Sequence, residues 1–576
     1  MESNKINTQL NAAINATPEE LNNSPELRTG YLPNQRSWEL IVRYTGDING
    51  IQTMLPNAQI TELLNNYAII QIPENEIETL ASLNQIIFIE KPKRLFYEVT
   101  NGKRVSCVPP VQVPSGLSLT GLGTLIAIID SGIDYSHPDF ISENGNTRIL
   151  LLWDQSLDQI YDSDTINAAL RASTTSNRYT ICPSVDLSGH GTHVAGIAAG
   201  NGRASSGTYR GVAYEASLLV VKLARPAADS FPSTIELLKA VDFCIRQAIL
   251  LNLPLSINLS FGNTYGAHNG SSLLESYLDA VGNLYKCSII CGSGNEGAAA
   301  GHSSGQFTSN KQTSTVELSI TEFTPSLSVQ LWKNPWDIFE ITITNPQFNT
   351  IAVPATPGNW RFTLDGTDLY ITVGSALPYN IYQEIYIDFS ASSTSSDSYI
   401  DFGIWQLSLT AVDIKSGIWD MWLPSIAVRS LSTGFLISNP DTTLTIPSSA
   451  EKIITVGAYD SHNDTLADFS GRGFSWNTNQ IKPELVAPGV DIISCAPGGG
   501  YETRSGTSMA TPFVTGSCAL LMQWGIVNGN DIYMYGEKIK AALISGTRKL
   551  PFENSYPSKT VGWGALCLYD SLLKSN

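Results

Sequence analysis

The sequence predicts an α/β chain built on a doubly wound parallel sheet, with a small α+β unit ahead of it and a β-sandwich or jelly roll inserted into it. Three observations lead there. Continuous apolar runs such as 124–129 alternate with amphipathic helical patterns, the signature of parallel strands buried on both faces. Residues 37–99 alternate strand and helix patterns at short spacing, which suits a small α+β unit. Residues 306–445 have no helical period, only alternating runs separated by turn residues such as Asp365-Gly366.

A chain of 576 residues can bury a large core. Its net charge of −18 argues against nucleic acid or an anionic membrane as partner. No apolar run approaches a membrane span, and the N-terminus lacks the basic-then-apolar pattern of a secretory signal, so cytoplasmic synthesis without Sec-type export is expected. Eight cysteines are sparse for this length and read as reduced, buried small hydrophobes, Cys244, Cys291, Cys495 and Cys518 among them.

In chain order, residues 1–36 are polar and read as an extension with limited structure. Residues 39–44, 68–72 and 85–89 read as strands, and 47–55 and 74–83 as helices. A larger unit begins near residue 100 and runs to 305. Within it 146–180 reads as a surface excursion, 216–223, 254–261 and 288–291 as strands, and 272–285 as a helix. The helix predicted over 235–251 has Ile235, Leu238, Val241, Ile245 and Ile249 on one face. The insertion at 306–445 carries Trp332, Trp336, Trp360 and Trp405, which imply a core of its own, expected to stiffen the chain. The larger unit resumes over 446–576, with a strand at 453–458 and helices around 537–544.

Three stretches carry chemistry. Ser505-Gly-Thr-Ser508-Met-Ala-Thr-Pro512 runs into an apolar helix and puts Ser508 in its first turn, where N–H groups and the helix dipole favour negative charge. Pro512 is compatible with a first turn, whose N–H groups have no intrahelical partner. Taken alone, the octapeptide reads equally well as a helix cap. Asp130 ends a buried parallel strand, at the sheet edge where ligands and catalytic groups gather. Ser188-Gly-His190-Gly-Thr-His193 opens a small-residue helix. The order Asp, His, Ser is one of three known for nucleophilic triads.

With IIDSGID, GHGTHVAGIAAG and SGTSMATP in that order, the chain resembles the subtilisin-like (subtilase) serine peptidases. Ser288-Ile-Ile-Cys-Gly-Ser-Gly-Asn295 resembles the family block carrying the oxyanion asparagine, and Ser256-Ile-Asn-Leu-Ser260-Phe-Gly262 the strand that pairs with substrate backbone. The resemblance implies a subtilisin-like sheet and hydrolysis of protein or peptide substrates by Asp130, His190 and Ser508. Asn295 and the Ser508 N–H would hold the oxyanion. Ser260, Phe261, Gly262, Gly292, Ser293 and Gly294 would border a pocket whose small residues admit a sizeable side chain.

The resemblance implies no catalytic cofactor or metal, and a structural calcium at no identifiable place. It makes 37–99 a propeptide that chaperones folding and then occupies the active site, with self-cleavage expected between Tyr97 and Val105. Its layout resembles the clostridial Csp germination proteases and related Csp-like subtilases of anaerobic Firmicutes. Their family role is cleavage of the pro-form of a cortex-degrading hydrolase, which implies spore association. A vegetative protease with another substrate, and a non-catalytic scaffold, are the competing readings. Asp134 and Asp139 could take the role given to Asp130, but lack its strand-end position. His193 reads as structural, and His137, His268, His302 and His462 as ordinary surface or loop residues.

Overall fold

The computed structural model describes the chain except for residues 1–4, 7–9, 11–12, 17–29, 34, 64–65, 92–98, 114–116, 225–231, 377–379, 393–397, 479 and 575–576. It forms two compact units, Met1–Tyr97 and Glu98–Asn576. In the first, an antiparallel sheet runs Tyr31–Leu32, Ser37–Tyr44, Tyr67–Pro73, Gln59–Leu63, with Ile86–Glu90 also paired to Ser37–Tyr44. Alternation along Ser37–Tyr44 turns Trp38, Leu40, Val42 and Tyr44 inward. Helices Asn49–Met54 and Ile77–Ser82 add Ile51, Ile77 and Leu80 to that core. Leu10 and Ala13 are buried in it too, although they fall in the stretch that reads as a weakly structured extension. The strand Gln59–Leu63 was not predicted, because its sequence is largely polar.

The second unit is organised by a sheet of nine strands. Its order is Thr465–Leu466, Ile454–Asp460, Cys287–Gly292, Leu255–Leu259, Leu125–Asp130, Ser217–Lys222, Ile149–Asp154, Gln159–Asp162, with Leu485–Pro488 beside Ile454–Asp460. The central strand Leu125–Asp130 is buried throughout. Ile126 and Ile128 face the layer containing helices His190–Ala199 and Thr507–Met522. Leu125, Ala127 and Ile129 face the layer containing helices Thr234–Leu251 and Leu273–Val281.

Two expectations are corrected here. Ile149–Asp154 is a parallel strand of the sheet, so 146–180 is not a surface excursion. In Thr234–Leu251 the buried face is Leu237, Ala240, Val241, Cys244, Ile245 and Ala248. Ile235 is 58% and Ile249 50% exposed, because the stripe that meets the sheet is rotated to run through Leu237, Ala240, Cys244 and Ala248 and keeps only Val241 and Ile245 of the expected face fully buried. The helical stretch Thr507–Val527 is long and apolar enough to cross a membrane, but 89% of its apolar window is buried inside the chain, as expected of a core helix.

Two antiparallel sheets between His302 and Phe435 form the inserted sandwich. One contains Ser326–Lys333, Gln383–Ala391 and Ile418–Trp422, the other Thr313–Ile320, Ile338–Thr344 and Gly403–Asp413. Leu318, Val329, Ile341, Ile387 and Trp405 meet in one core between them. Of the other three tryptophans expected there, Trp360 lies at the margin of this core, Trp336 is 62% exposed, and Trp332 points the other way. Trp332 packs with Trp422, Trp476 and Ala267, joining the sandwich to the rest of the unit. Gln330 Oε1 accepts from the Gly266 N–H at 2.9 Å and the Leu423 carbonyl from the Thr264 hydroxyl at 2.8 Å, which fixes the joint.

The cysteines are not all reduced: Cys107 and Cys567 form a disulfide across 460 residues of sequence. No local pattern reveals a pair so distant. The other six are buried thiols. A crosslink closing so long a loop restricts the unfolded chain, so reduction is expected to cost about 2–4 kcal/mol. Guanidinium midpoints of the native chain with and without reductant check this; equal midpoints would remove the disulfide from the list of stabilising features.

Candidate active site

Asp130 sits at the carboxyl end of the central strand and is 4% exposed. Its Oδ1 accepts from the Ser131 N–H and lies 2.7 Å from His190 Nδ1. His190 begins the helix His190–Ala199, and its side chain is 27% exposed. Burial lowers the imidazole pKa, but the Asp130 charge and hydrogen bond outweigh it, so the net shift is upward from the ordinary value. Arg504 opposes this rise and Asp186 adds to it.

Asp186 was not singled out from the sequence, yet it knits this region together. Its Oδ1 accepts from the Ser131 hydroxyl at 2.8 Å and the Gly189 N–H at 3.0 Å. Its Oδ2 accepts from the N–H and hydroxyl of Thr192 at 2.9 and 2.7 Å. The Ser131 hydroxyl in turn accepts from the Gly191 N–H at 3.0 Å. A carboxylate under the first turn is favoured by the helix dipole, and this one holds the start of the helix against the turn after Asp130. An acid four residues before a helix-opening histidine is the signal that could have found it.

Ser508 lies in the first turn of Thr507–Met522, which begins after Gly506 at φ 152°, a conformation that suits glycine. Pro512 is the sixth residue of this helix and not part of its first turn, as the sequence reading had it. A proline there leaves the Ser508 carbonyl without its helical donor. Ser260 supplies one: its hydroxyl donates to the Ser508 carbonyl at 3.2 Å, while the Ser508 hydroxyl donates to the Ser260 carbonyl at 3.0 Å. Asn258 Nδ2 donates to the Ser260 hydroxyl at 2.8 Å, and Thr515 donates to Asn258 Oδ1 at 2.9 Å. Among the described residues no hydrogen bond joins Ser508 to His190, so the hydroxyl has to turn before it can meet the imidazole. Asn295 Oδ1 accepts from the Thr507 N–H at 3.0 Å, which fixes the amide orientation and leaves Nδ2 as the end available to a ligand.

A cleft of about 2090 Å³ includes Asp130, His190 and Ser260–Gly262 in its lining. The pocket bordered by small residues is narrower than they suggest. A Cβ built on Gly262 would stand 2.6 Å from Thr445 Oγ1, and one on Gly294 2.4 Å from Thr445 Cγ2. The Thr445 side chain therefore fills the space between these two backbones, held by its N–H bond to the Ser293 carbonyl at 3.0 Å. Thr445 is 150 residues beyond Asn295, so no local motif marks it.

The Subtilase family model matches residues 121–396 and 389–564. The chain belongs to the subtilase family. Residues 4–93 match the Csp protease B prodomain, a match that takes in the N-terminal stretch around Leu10. The structure of the Clostridium perfringens CspB protease is similar, with a TM-score of 0.76 and 33% identity over 82% of this chain and 96% of that one. The minor extracellular protease Vpr of Bacillus subtilis is 24% identical over 79% of this chain and 52% of Vpr. A PI-type proteinase of Lactococcus lactis is 25% identical over 78% of this chain and 25% of its own length. The chain thus spans about half or less of these curated relatives.

Three histidines that read as surface or loop residues in this subtilase are buried. His268 lies between the Leu444 and Thr264 carbonyls at 2.6 and 3.1 Å, and His302 lies 2.9 Å from Asp420. Both stack on Trp422, at the sandwich joint. His137 accepts from the Asp139 N–H through Nδ1 and faces the Gly500 carbonyl through Nε2. Asp139 takes bonds from the Ala204 N–H, the Tyr501 hydroxyl and the Cys495 thiol. His137, Asp139 and Cys495 are close enough to suggest a metal, but these bonds already occupy their ligand atoms. Of the four, only His462 lies near the surface, beside Asp460. Asp134 binds the N–H groups of Ser136 and Gly498. His193 Nε2 faces the Ile492 and Glu502 carbonyls, and burial lowers its pKa to about 3.

Removing the Ser260 hydroxyl should expose the cost of Pro512. Ser260→Ala leaves the Ser508 carbonyl without a donor, and about 1–3 kcal/mol of stability should be lost. Denaturant midpoints measure it. In a Ser260→Ala, Pro512→Ala double variant a helical N–H returns, and most of the loss should disappear; strictly additive losses would refute the compensation.

Proposed function

We propose that the chain is a serine endopeptidase working through Asp130, His190 and Ser508. The observation that carries this reading is the Asp130–His190 pair opening on the same cleft as Ser260, the residue whose backbone carbonyl holds the Ser508 hydroxyl. In the mechanism that follows, the Ser508 hydroxyl leaves the Ser260 carbonyl and turns to His190 Nε2. Its oxygen attacks the scissile carbonyl carbon while His190 takes the proton. The negative charge on the carbonyl oxygen is met by Asn295 Nδ2 and the Ser508 N–H. Asp130 holds the imidazole through Nδ1 and stabilises its protonated form. His190 then returns the proton to the leaving amine, and water repeats the sequence on the acyl ester.

The Csp protease B prodomain match supports a chain that processes itself. Residues 97 and 98 of the expected cleavage interval lie outside the described residues, and Val99–Val105 is a helix, which has to unwind to pair as an added strand. The similarity to CspB supports the finer proposal that the mature enzyme activates the pro-form of a spore cortex hydrolase, in association with the spore. The Thr445 side chain supports a small residue immediately before the cut bond.

Four outcomes test this. Ser508→Ala should stay folded but lose fluorophosphonate labelling, self-processing and peptide cleavage; normal processing by the purified variant would defeat the assignment. Asn295→Ala should lower kcat by roughly 10²–10³, a magnitude taken from the subtilisin case itself, with little change in KM. Because His190 must be neutral to accept the proton and its pKa is raised, the acid limb of kcat/KM should have its midpoint above about 6.5. A limb below that value would mean that Asp130 does not control the base. Thr445→Gly should extend cleavage to peptides with Phe or Leu before the cut bond, as a peptide panel would reveal; an unchanged panel would place the limit elsewhere.

A further inference from the structure

The cleft does not end with the residues that line subtilase active sites by resemblance. Beyond Ser260–Gly262 it continues past Asn263, Thr264 and Tyr265 to two segments of the inserted sandwich, 321–328 and 424–430. Neither is a loose flap. The first is the turn after strand Thr313–Ile320 with the start of strand Ser326–Lys333, beside the joint made by Trp332 and by Gln330 with Gly266. The second is tied to the residue after Asn295: Glu296 accepts from the Ser425 hydroxyl at 2.5 Å and the Ile426 N–H at 3.1 Å. Arg429 adds bonds to the Pro424, Thr433 and Ala299 carbonyls.

The direction of the substrate decides which part of it meets this wall. His190 delivers a proton to the leaving amine, so the downstream chain lies toward His190. The acyl side then runs away from it, along Ser260–Gly262 and on toward the sandwich. An extended chain advances about 3.3 Å per residue, so after pairing with three residues its fifth and earlier upstream residues come to the wall, by an order-of-magnitude count.

The wall has a chemical character. Phe323 is 71% exposed and at φ 62°, a conformation unusual for a bulky residue, and it leans edge-on against Tyr399. Asp388 is partly buried, the Tyr386 hydroxyl donates to it over a long 3.4 Å, and burial raises its carboxyl pKa. Glu322 is exposed beside Phe323. The cations of the cleft are already engaged, Lys222 with Asp154 at 3.0 Å and Arg429 with its three carbonyls. Among the described residues no cation pairs with Asp388 or Glu322.

We propose that the sandwich forms the upstream end of the substrate-binding surface and selects protein chains with a lysine or arginine about five to seven residues before the cut bond. A cation there would pair with Asp388 or Glu322 and lay its aliphatic stem on Phe323 and Tyr386. The occupant is an extended substrate segment, and the proposal rests on the endopeptidase reading above. It assigns the insertion a part in recognition beyond the stiffening role expected from its own core.

The test uses the full chain and three quenched-fluorescence peptides with the same Ala at the cut site and eight upstream residues, differing only at the sixth: Lys, Ala or Glu. The Lys peptide should be cut with kcat/KM on the order of tenfold above the Glu peptide, mainly through KM, and added salt should shrink the ratio. Asp388→Asn combined with Glu322→Gln should bring the Lys-to-Glu ratio close to one, and Asp388→Glu should retain it. Fluorophosphonate labelling of Ser508 in each variant separates the two readings. Labelled enzyme that cuts the three peptides equally, or prefers Glu, overturns this proposal alone. Wild-type chain that neither labels nor cleaves overturns the endopeptidase reading and this one with it.

Discussion

Parallel register is the constraint on which the site depends. Leu259 stands beside Ile129 on one side and Cys291 on the other, so the next residues, Asp130, Ser260 and Gly292, leave three adjacent strands at the same level. A parallel sheet brings strand ends into line because every crossover returns to the same starting edge. The carboxylate, the backbone that faces Ser508 and the stretch leading to Asn295 therefore converge without any long loop to position them. The two remaining parts arrive as helix N-termini, His190 on one helix and Ser508 on another, packed in the same layer against Ile126 and Ile128.

Convergence alone does not fix the helix ends, and polar contacts make the final adjustment. Asp186 ties the His190 helix to the turn after Asp130 through Ser131, Gly189 and Thr192. Pro512 frees the Ser508 carbonyl, and Ser260 closes the gap with a reciprocal pair of hydrogen bonds. In both places a side chain just past a strand end satisfies a backbone group of the helix start, Ser131 the Gly191 N–H and Ser260 the Ser508 carbonyl. Buried polar groups of this kind are costly when unpaired, so they hold geometry more tightly than apolar contact does.

The sandwich shows how an insertion can be both separate and involved. It has its own core, with Trp405 fully buried, and in that respect is a small domain. Yet Glu296 anchors its exit segment one residue from Asn295, and the joint around Trp422 buries two histidines that would otherwise be unremarkable loop residues. Because both ends return to the same sheet, the insertion is held at two points, and its turn 321–328 can line the cleft.

Much of this was legible in the sequence. Apolar continuity marked the strand ending at Asp130, glycine-rich blocks marked the turns before His190 and Ser508, and alternation marked the strands of the sandwich. These signals are local, and backbone periodicity writes them into neighbouring residues. Tertiary structure alone decided the rest. Thr445 fills the slot between Gly262 and Gly294, Cys107 meets Cys567, and the face of Thr234–Leu251 that turns inward takes in Leu237, Ala240, Cys244 and Ala248 and leaves Ile235 and Ile249 outside. Each of these depends on which surfaces meet across more than a hundred residues or between layers, and close packing selects them by shape, which no period in the sequence records.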